Sequence, residues 1–83
     1  MMVKVKLFAT LRDYGPKGVE LGKSFSVTLE EGVTVATLLE MLKIPNKEAK
    51  IIMINGNNSE VEDKIIEGDT IAIFPPVGGG NSL

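Results

Sequence analysis

The hydrophobic period of this chain changes partway along, and that change restricts its fold more than anything else in it. Val3, Val5 and Leu7 alternate with Lys4 and Lys6, and Phe25, Val27 and Leu29 alternate with Ser26 and Thr28. Each is the pattern of a strand buried on one face. Val35, Leu38, Leu39 and Leu42 then fall at i, i+3, i+4 and i+7, one apolar stripe on a helix expected over 34–43. Two apolar runs of strand length follow, at 51–54 and 71–74. A lone helical stripe must be buried, and short strands joined in one sheet are the apolar surface this chain offers it. The expectation is an α+β domain: a mixed sheet of four to five strands with one main helix packed on one face. Eighty-three residues hold one such domain and no second.

Local signals punctuate this pattern. Residues 9–14 read as a short turn of helix, followed by loop to Gly22, because glycines and Pro16 interrupt any longer element. Thr34 is placed to cap the helix with its hydroxyl, and Pro45 stops it near Lys43. Asn55-Gly56 is a hairpin turn, since both residues tolerate positive φ. Residues 57–67 are polar and acidic, holding a short irregular strand and the pair Ile65 and Ile66 as a hydrophobic plug. Gly68-Asp69 turns the chain into its last strand. That strand is apolar throughout from Ile71 to Phe74, which suits a central position beside the first strand and parallel to it. Pro75-Pro76 ends it, since proline brings no ladder donor. The domain is expected to occupy 1–76, and residues 77–83 a flexible glycine-rich tail.

Strand parity then assigns faces. If Val3, Val5 and Leu7 face the helix, Lys4, Lys6 and Phe8 face away from it. If Ile71 and Ile73 face the helix, Ala72 and Phe74 also face away. Two of the three phenylalanines thus fall on the uncovered face. Two readings are open for them: a small second cluster closed over by residues 9–22, or an apolar docking patch.

Composition limits the chemistry. The chain has no Cys and no His, so it lacks a thiol nucleophile, a Ser-His pair and the ligands of a Cys/His zinc site. Nine Lys and Arg against eleven Asp and Glu give a net charge of −2, which does not suit nucleic-acid binding. No apolar run approaches the ~20 residues of a membrane span, and no signal peptide is evident, so a cytoplasmic location is expected. The acidic group Glu60, Glu62, Asp63, Glu67 and Asp69 fits no calcium-loop spacing and reads as a solvated segment that helps steer the chain toward a basic partner. Glu30 and Glu31 suit the positive end of the helix that follows them. Gly78-Gly79-Gly80 is no phosphate loop, because no helix and no Lys-Ser/Thr pair follow it. No metal or bound cofactor is expected.

Three consecutive glycines serve no packing purpose but suit threading through a narrow channel. From Pro75 to Gly80 an extended tail reaches about 20 Å. The run Phe74-Pro75-Pro76-Val77-Gly78-Gly79-Gly80 resembles the ending of the molybdopterin synthase small subunits, the MoaD-like branch of the ubiquitin-like sulfur carriers. Leu7-Phe8-Ala9-Thr10-Leu11-Arg12, Gly32-Val33-Thr34-Val35, Ile54-Asn55-Gly56 and Glu67-Gly68-Asp69 extend the resemblance over nearly the whole chain. It implies a β-grasp (ubiquitin-like) fold and a carrier without catalytic residues of its own. In that family an activating enzyme uses ATP to adenylate the terminal glycine carboxylate, and a sulfur donor converts the adenylate to a thiocarboxylate. A larger synthase subunit then accepts the sulfur.

Carried over residue by residue, the resemblance makes Gly80 the attachment point and Gly79 the residue that keeps the channel approach clear. Phe8, Phe74, Pro75, Pro76, Val77 and Gly78 become the partner-binding residues. The implied partners are an adenylating enzyme, a molybdopterin synthase large subunit or another acceptor, and a processing protease. The protease is implied because Asn81-Ser82-Leu83 follows Gly80, and an amide there cannot attack ATP as a carboxylate does. A second departure is Asn58, where the family's patch is aliphatic. A ubiquitin-like protein modifier, a carrier for another thio-metabolite such as cysteine, and a noncovalent interaction module remain as other readings.

Overall fold

The computed structural model describes residues 1–76, so the expected tail at 77–83 lies outside the described residues. Five strands form one sheet: β1 Met2–Leu7, β2 Phe25–Thr28, β3 Ile51–Ile54, β4 Asn57–Ser59 and β5 Thr70–Phe74. The helix α1 spans Val35–Leu42, and 3-10 turns occupy Ala9–Tyr14 and Asn46–Glu48. The strand order is β2-β1-β5-β3-β4. β5 lies at the centre, parallel to β1 and antiparallel to β3, as its uninterrupted apolar run requires.

One face of the sheet holds the core. Val3, Val5 and Leu7 from β1, Ile52 from β3, and Ile71 and Ile73 from β5 are all buried there with Val35, Leu38 and Leu39 of α1. Leu42 packs partly buried against the same cluster, so the helical stripe buries as its spacing indicates. Leu38 has no exposed surface. Leu38→Ala should cost about 2–5 kcal/mol, a large share of the ~5–15 kcal/mol that hold a domain together. A urea titration checks it, and an unchanged midpoint would take Leu38 out of the core.

Three local expectations are corrected. The Thr34 hydroxyl makes no capping bond. Backbone serves instead: the amides of Val35 and Ala36 donate to the carbonyls of Asp63 and Val61 at 3.0 and 2.8 Å. The strap over residues 61–65 thus occupies the donors a cap would satisfy. The helix stops near Lys43 as expected, but a backbone closure and not the proline ends it. Lys43 turns left-handed at φ 62, its amide bonding to Glu40, while the Ile44 amide reaches Leu39 at 2.9 Å. This is a Schellman closure, sealed by Ile44, which is buried. Finally, only Ile65 plugs the core; Ile66 is 65% exposed. The strap is extended where Thr34 bridges Lys64, and consecutive side chains of an extended chain point to opposite sides.

Candidate docking face

The sheet face opposite α1 carries no helix, and the register places its residues in rows. Lys6 stands opposite Ala72 and Leu7 opposite Ile73, which brings Phe8 beside Phe74. Phe8 remains extended at φ −119, ψ 149, and its amide donates to the Ile73 carbonyl at 3.3 Å. Ala9 then turns left-handed at φ 54 and leads the chain away into the 3-10 turn. The two rings stack with centroids 4.3 Å apart and planes within 11°. Both are half-buried. Pro75 is half-buried, Pro76 is exposed, and Val77, Gly78, Gly79 and Gly80 lie outside the described residues.

The segment at 9–22 does not form a lid over this stack. Gly15 sits against Leu7 and Phe25, both on the helix side of the sheet, where an added Cβ would come within 3.1 Å of each. Leu11 is buried in the same core. An open depression of about 460 Å³ lies between this loop and the sheet, lined by Leu7, Arg12, Gly15, Lys17, Glu20 and Phe25. Arg12 is committed to the loop itself, its guanidinium donating to the Val19 carbonyl at 2.9 Å.

Sequence parity missed two members of the face. Ile51 pairs with Phe74 and Met53 with Ala72, so both lie on the uncovered side and widen the stack into a stripe. Ile51 is 45% exposed, and Met53 is half-buried. The run at 51–54 is apolar at every position, so it carries no alternation from which a face could be read. Asn58 pairs with Met53 and is exposed, which puts a polar amide at the far end of the stripe.

A side-chain clasp holds this register. The Asn55 amide nitrogen donates to Asp69 Oδ1 at 2.8 Å, and the Thr70 amide donates to Asn55 Oδ1 at 2.9 Å. Asp69 Oδ2 accepts from the Ile66 amide at 2.9 Å, and Asp69 is buried. The hairpin between β3 and β4 is thereby tied to the first residue of β5, fixing which β3 residue meets Phe74. Asp69→Ala would leave the Ile66 amide and the Asn55 side chain without this partner. Loss of about 1–3 kcal/mol is expected, read as a lower urea midpoint. An unchanged midpoint would deny the clasp any part in holding the hairpin.

Asp63 and Glu48 hold local structure. Asp63 accepts from the Glu60 amide and the Ser59 hydroxyl, each at 2.9 Å. The amide bond and then the hydroxyl hold its carboxyl below the usual value. Tyr14 donates to Glu48 at 3.0 Å, and that bond, followed by burial, raises the phenol. Among the described residues, no three acidic side chains gather where they could hold a metal ion, and no helix is long and apolar enough to cross a membrane.

The phenylalanine stack and the β3 residues beside it form one arrangement. It is an apolar stripe on an open sheet face, leading directly into the glycine-rich end of the sequence. A sequence model of the ThiS family matches residues 5–80, nearly the whole chain. The chain belongs to the ThiS family. Its members are ubiquitin-like sulfur carriers, and its sheet with one covering helix is the β-grasp fold.

Solved structures agree on that fold for this ThiS-family chain. It is similar to a putative molybdopterin converting factor subunit 1 from Pyrococcus furiosus, with 29% identity and a TM-score of 0.65 over 92% of this chain and 98% of that one. Small archaeal modifier protein 1 (SAMP1) from Haloferax volcanii is 24% identical, with a TM-score of 0.68 over 96% of this chain and all of the other. A structure of the complex of subunits 1 and 2 of the molybdopterin-converting factor from Helicobacter pylori 26695 matches at 23% identity and a TM-score of 0.58. That match covers 96% of this chain and 100% of the matched one. No curated protein sequence matches the chain significantly.

Proposed function

We propose that this carrier is activated at Gly80 and delivers sulfur in molybdopterin assembly. The observation that carries the reading is the Phe8–Phe74 stack, half-buried on the open face of a ThiS-family domain and followed in sequence by Pro75-Pro76 and the glycines. A docking surface next to a threading tail is what a protein needs when its own terminus is the substrate of another enzyme. The 29% identity to a putative molybdopterin converting factor subunit favours that pathway over other sulfur acceptors.

The chemistry balances without any catalytic group from this chain. A protease hydrolyses the bond after Gly80 and releases Asn81-Ser82-Leu83. The freed carboxylate attacks the α-phosphate of ATP, pyrophosphate leaves, and an acyl-adenylate forms. A sulfur nucleophile then displaces AMP, leaving a thiocarboxylate, which the large synthase subunit or another acceptor uses. ATP is bound by the activating enzyme, and the carrier contributes only its backbone and its docking face.

The test compares two forms of the chain incubated with an adenylating enzyme, ATP and a sulfur donor. The form ending at Gly80 should gain the mass difference between sulfur and oxygen, and the form extending to Leu83 should gain nothing. Thiocarboxylation at Leu83 would reduce the glycines to a linker and overturn the reading. Attachment of Gly80 to lysines of other proteins, with no thiocarboxylate formed, would replace it with protein modification.

A further inference from the structure

Asn55-Gly56 closes the hairpin between β3 and β4, and both residues hold positive φ, 53 and 85. Asparagine followed by glycine is also the setting in a chain most prone to lose its side-chain amide. Glycine has no Cβ to shield its backbone nitrogen, so that nitrogen can reach the side-chain carbonyl carbon of the residue before it. The other asparagines lack this neighbour: Asn46 precedes Lys47, Asn57 precedes Asn58, Asn58 precedes Ser59 and Asn81 precedes Ser82. Asn55 and Gly56 are both exposed, and a Cβ built on Gly56 would meet nothing within 4 Å. Water and the reacting atoms have room.

The Asn55 side chain, however, is tied at both ends. Its nitrogen donates to Asp69 Oδ1 at 2.8 Å, and its oxygen accepts from the Thr70 amide at 2.9 Å. Asp69 is itself buried and held by the Ile66 amide. The backbone is fixed too, the Asn55 amide donating to the Thr70 carbonyl at 2.8 Å.

We propose that Asn55-Gly56 is a deamidation site built into the hairpin, held shut by the Asn55–Asp69–Thr70 clasp, and that reaction there turns the clasp into a repulsion. Attack requires the amide to turn its carbonyl carbon toward the Gly56 nitrogen, which gives up both side-chain hydrogen bonds. The Gly56 nitrogen then loses its proton to water and bonds to Asn55 Cγ. The bond from Cγ to the side-chain nitrogen breaks, and that nitrogen leaves as ammonia. Water opens the resulting cyclic imide at either carbonyl, giving aspartate or isoaspartate. Aspartate sets a carboxylate oxygen where the donor nitrogen stood, 2.8 Å from Asp69 Oδ1, and like charges so close oppose each other. Isoaspartate lengthens the backbone inside a two-residue turn. Either product loosens the hairpin from the first residue of β5. The site is chemically separate from Gly80, so its failure would leave the carrier reading standing.

The full chain would be warmed at neutral pH in folded form, in guanidinium chloride, and as the variants Asp69→Ala and Asp69→Asn. Trypsin cuts after Lys50 and Lys64, so one peptide carries Asn55 with Asn57 and Asn58 as internal references. Fragment masses locate any amide exchanged for a hydroxyl, and enzymatic methylation counts isoaspartate. The folded parent should react at Asn55 about tenfold more slowly than the unfolded chain, the factor expected for two hydrogen bonds surrendered. Asp69→Ala should recover most of that difference. Asp69→Asn keeps an oxygen for the Asn55 amide and should stay near the parent. The parent in urea matched to the stability of Asp69→Ala should also stay slow, which separates the clasp from general loosening.

Equal rates in the folded and unfolded parent would overturn the proposal, and that comparison holds even where Asp69→Ala does not fold. A folded Asp69→Ala chain as slow as the parent would overturn it too, as would a urea-matched parent as fast as Asp69→Ala. For the product, Asn55→Asp should lower the urea midpoint, and adding Asp69→Asn should restore part of the loss. An Asn55→Asp midpoint equal to the parent's would overturn the conversion of clasp to repulsion.

Discussion

Phe74→Asp should leave the domain folded and lower its affinity for an activating or acceptor partner about thirtyfold or more. The ring lies on the open face, half-buried, with its main neighbour the Phe8 ring at 4.3 Å. The side chains that hold β5 in the core are Ile71 and Ile73, which have no exposed surface and point the other way. A carboxylate at position 74 is therefore reached by water and needs no buried partner, so the cost to folding should be small. Binding differs because an anchor aromatic at an interface carries about 2 kcal/mol or more, and a charge carried into an apolar socket adds its own desolvation. Calorimetric titration read beside a thermal melt separates the two effects. A melt that collapses while binding of the surviving folded fraction is unaltered would make Phe74 a core residue and end the docking argument.

The stacked phenylalanines were legible in the sequence because β1 alternates cleanly. Val3, Val5 and Leu7 name the buried side, and Phe8 must then take the other. Position 74 followed once Ile71 and Ile73 were assigned to the core. The same arithmetic fails at 51–54, where every residue is apolar. There the face depends on which β5 residue each one meets, and that pairing is held by the Asn55–Asp69 clasp, a contact between residues 14 apart. Thr34 shows the same limit. A threonine ahead of a helix reads as a cap, but the donors it would serve belong to carbonyls of residues 61 and 63, which only the fold brings near. Ile66 sits beside a buried isoleucine and is itself exposed, because the strap it belongs to is extended and narrow. Patterns within an element were readable, and pairings between elements were not.

In a chain ending at Gly80, Gly80→Val should abolish the gain of sulfur mass while leaving the fold untouched. Residue 80 is the last that the family match reaches, and three residues, Val77, Gly78 and Gly79, separate it from the described end of the domain at Pro76. The contacts described for α1, the sheet and the Phe8–Phe74 stack are made among residues 1–76. Two effects of the valine act on the terminus alone. Its branched Cβ narrows the accessible backbone angles that glycine leaves open, and it adds bulk beside the carboxylate that must reach the α-phosphate of ATP. An enzyme that draws the terminus through a channel would lose the reaction, because reacting atoms misplaced by about 1 Å can cost a hundredfold in rate. Docking should survive, since the open face is unchanged. The diagnostic result is thus a variant that binds the adenylating enzyme as tightly as its parent, yet neither forms the adenylate nor gains sulfur on mass spectrometry. If the valine form were thiocarboxylated at the parental rate, the three glycines would have no part in presenting the terminus. The case for a threading tail would then rest on sequence resemblance alone.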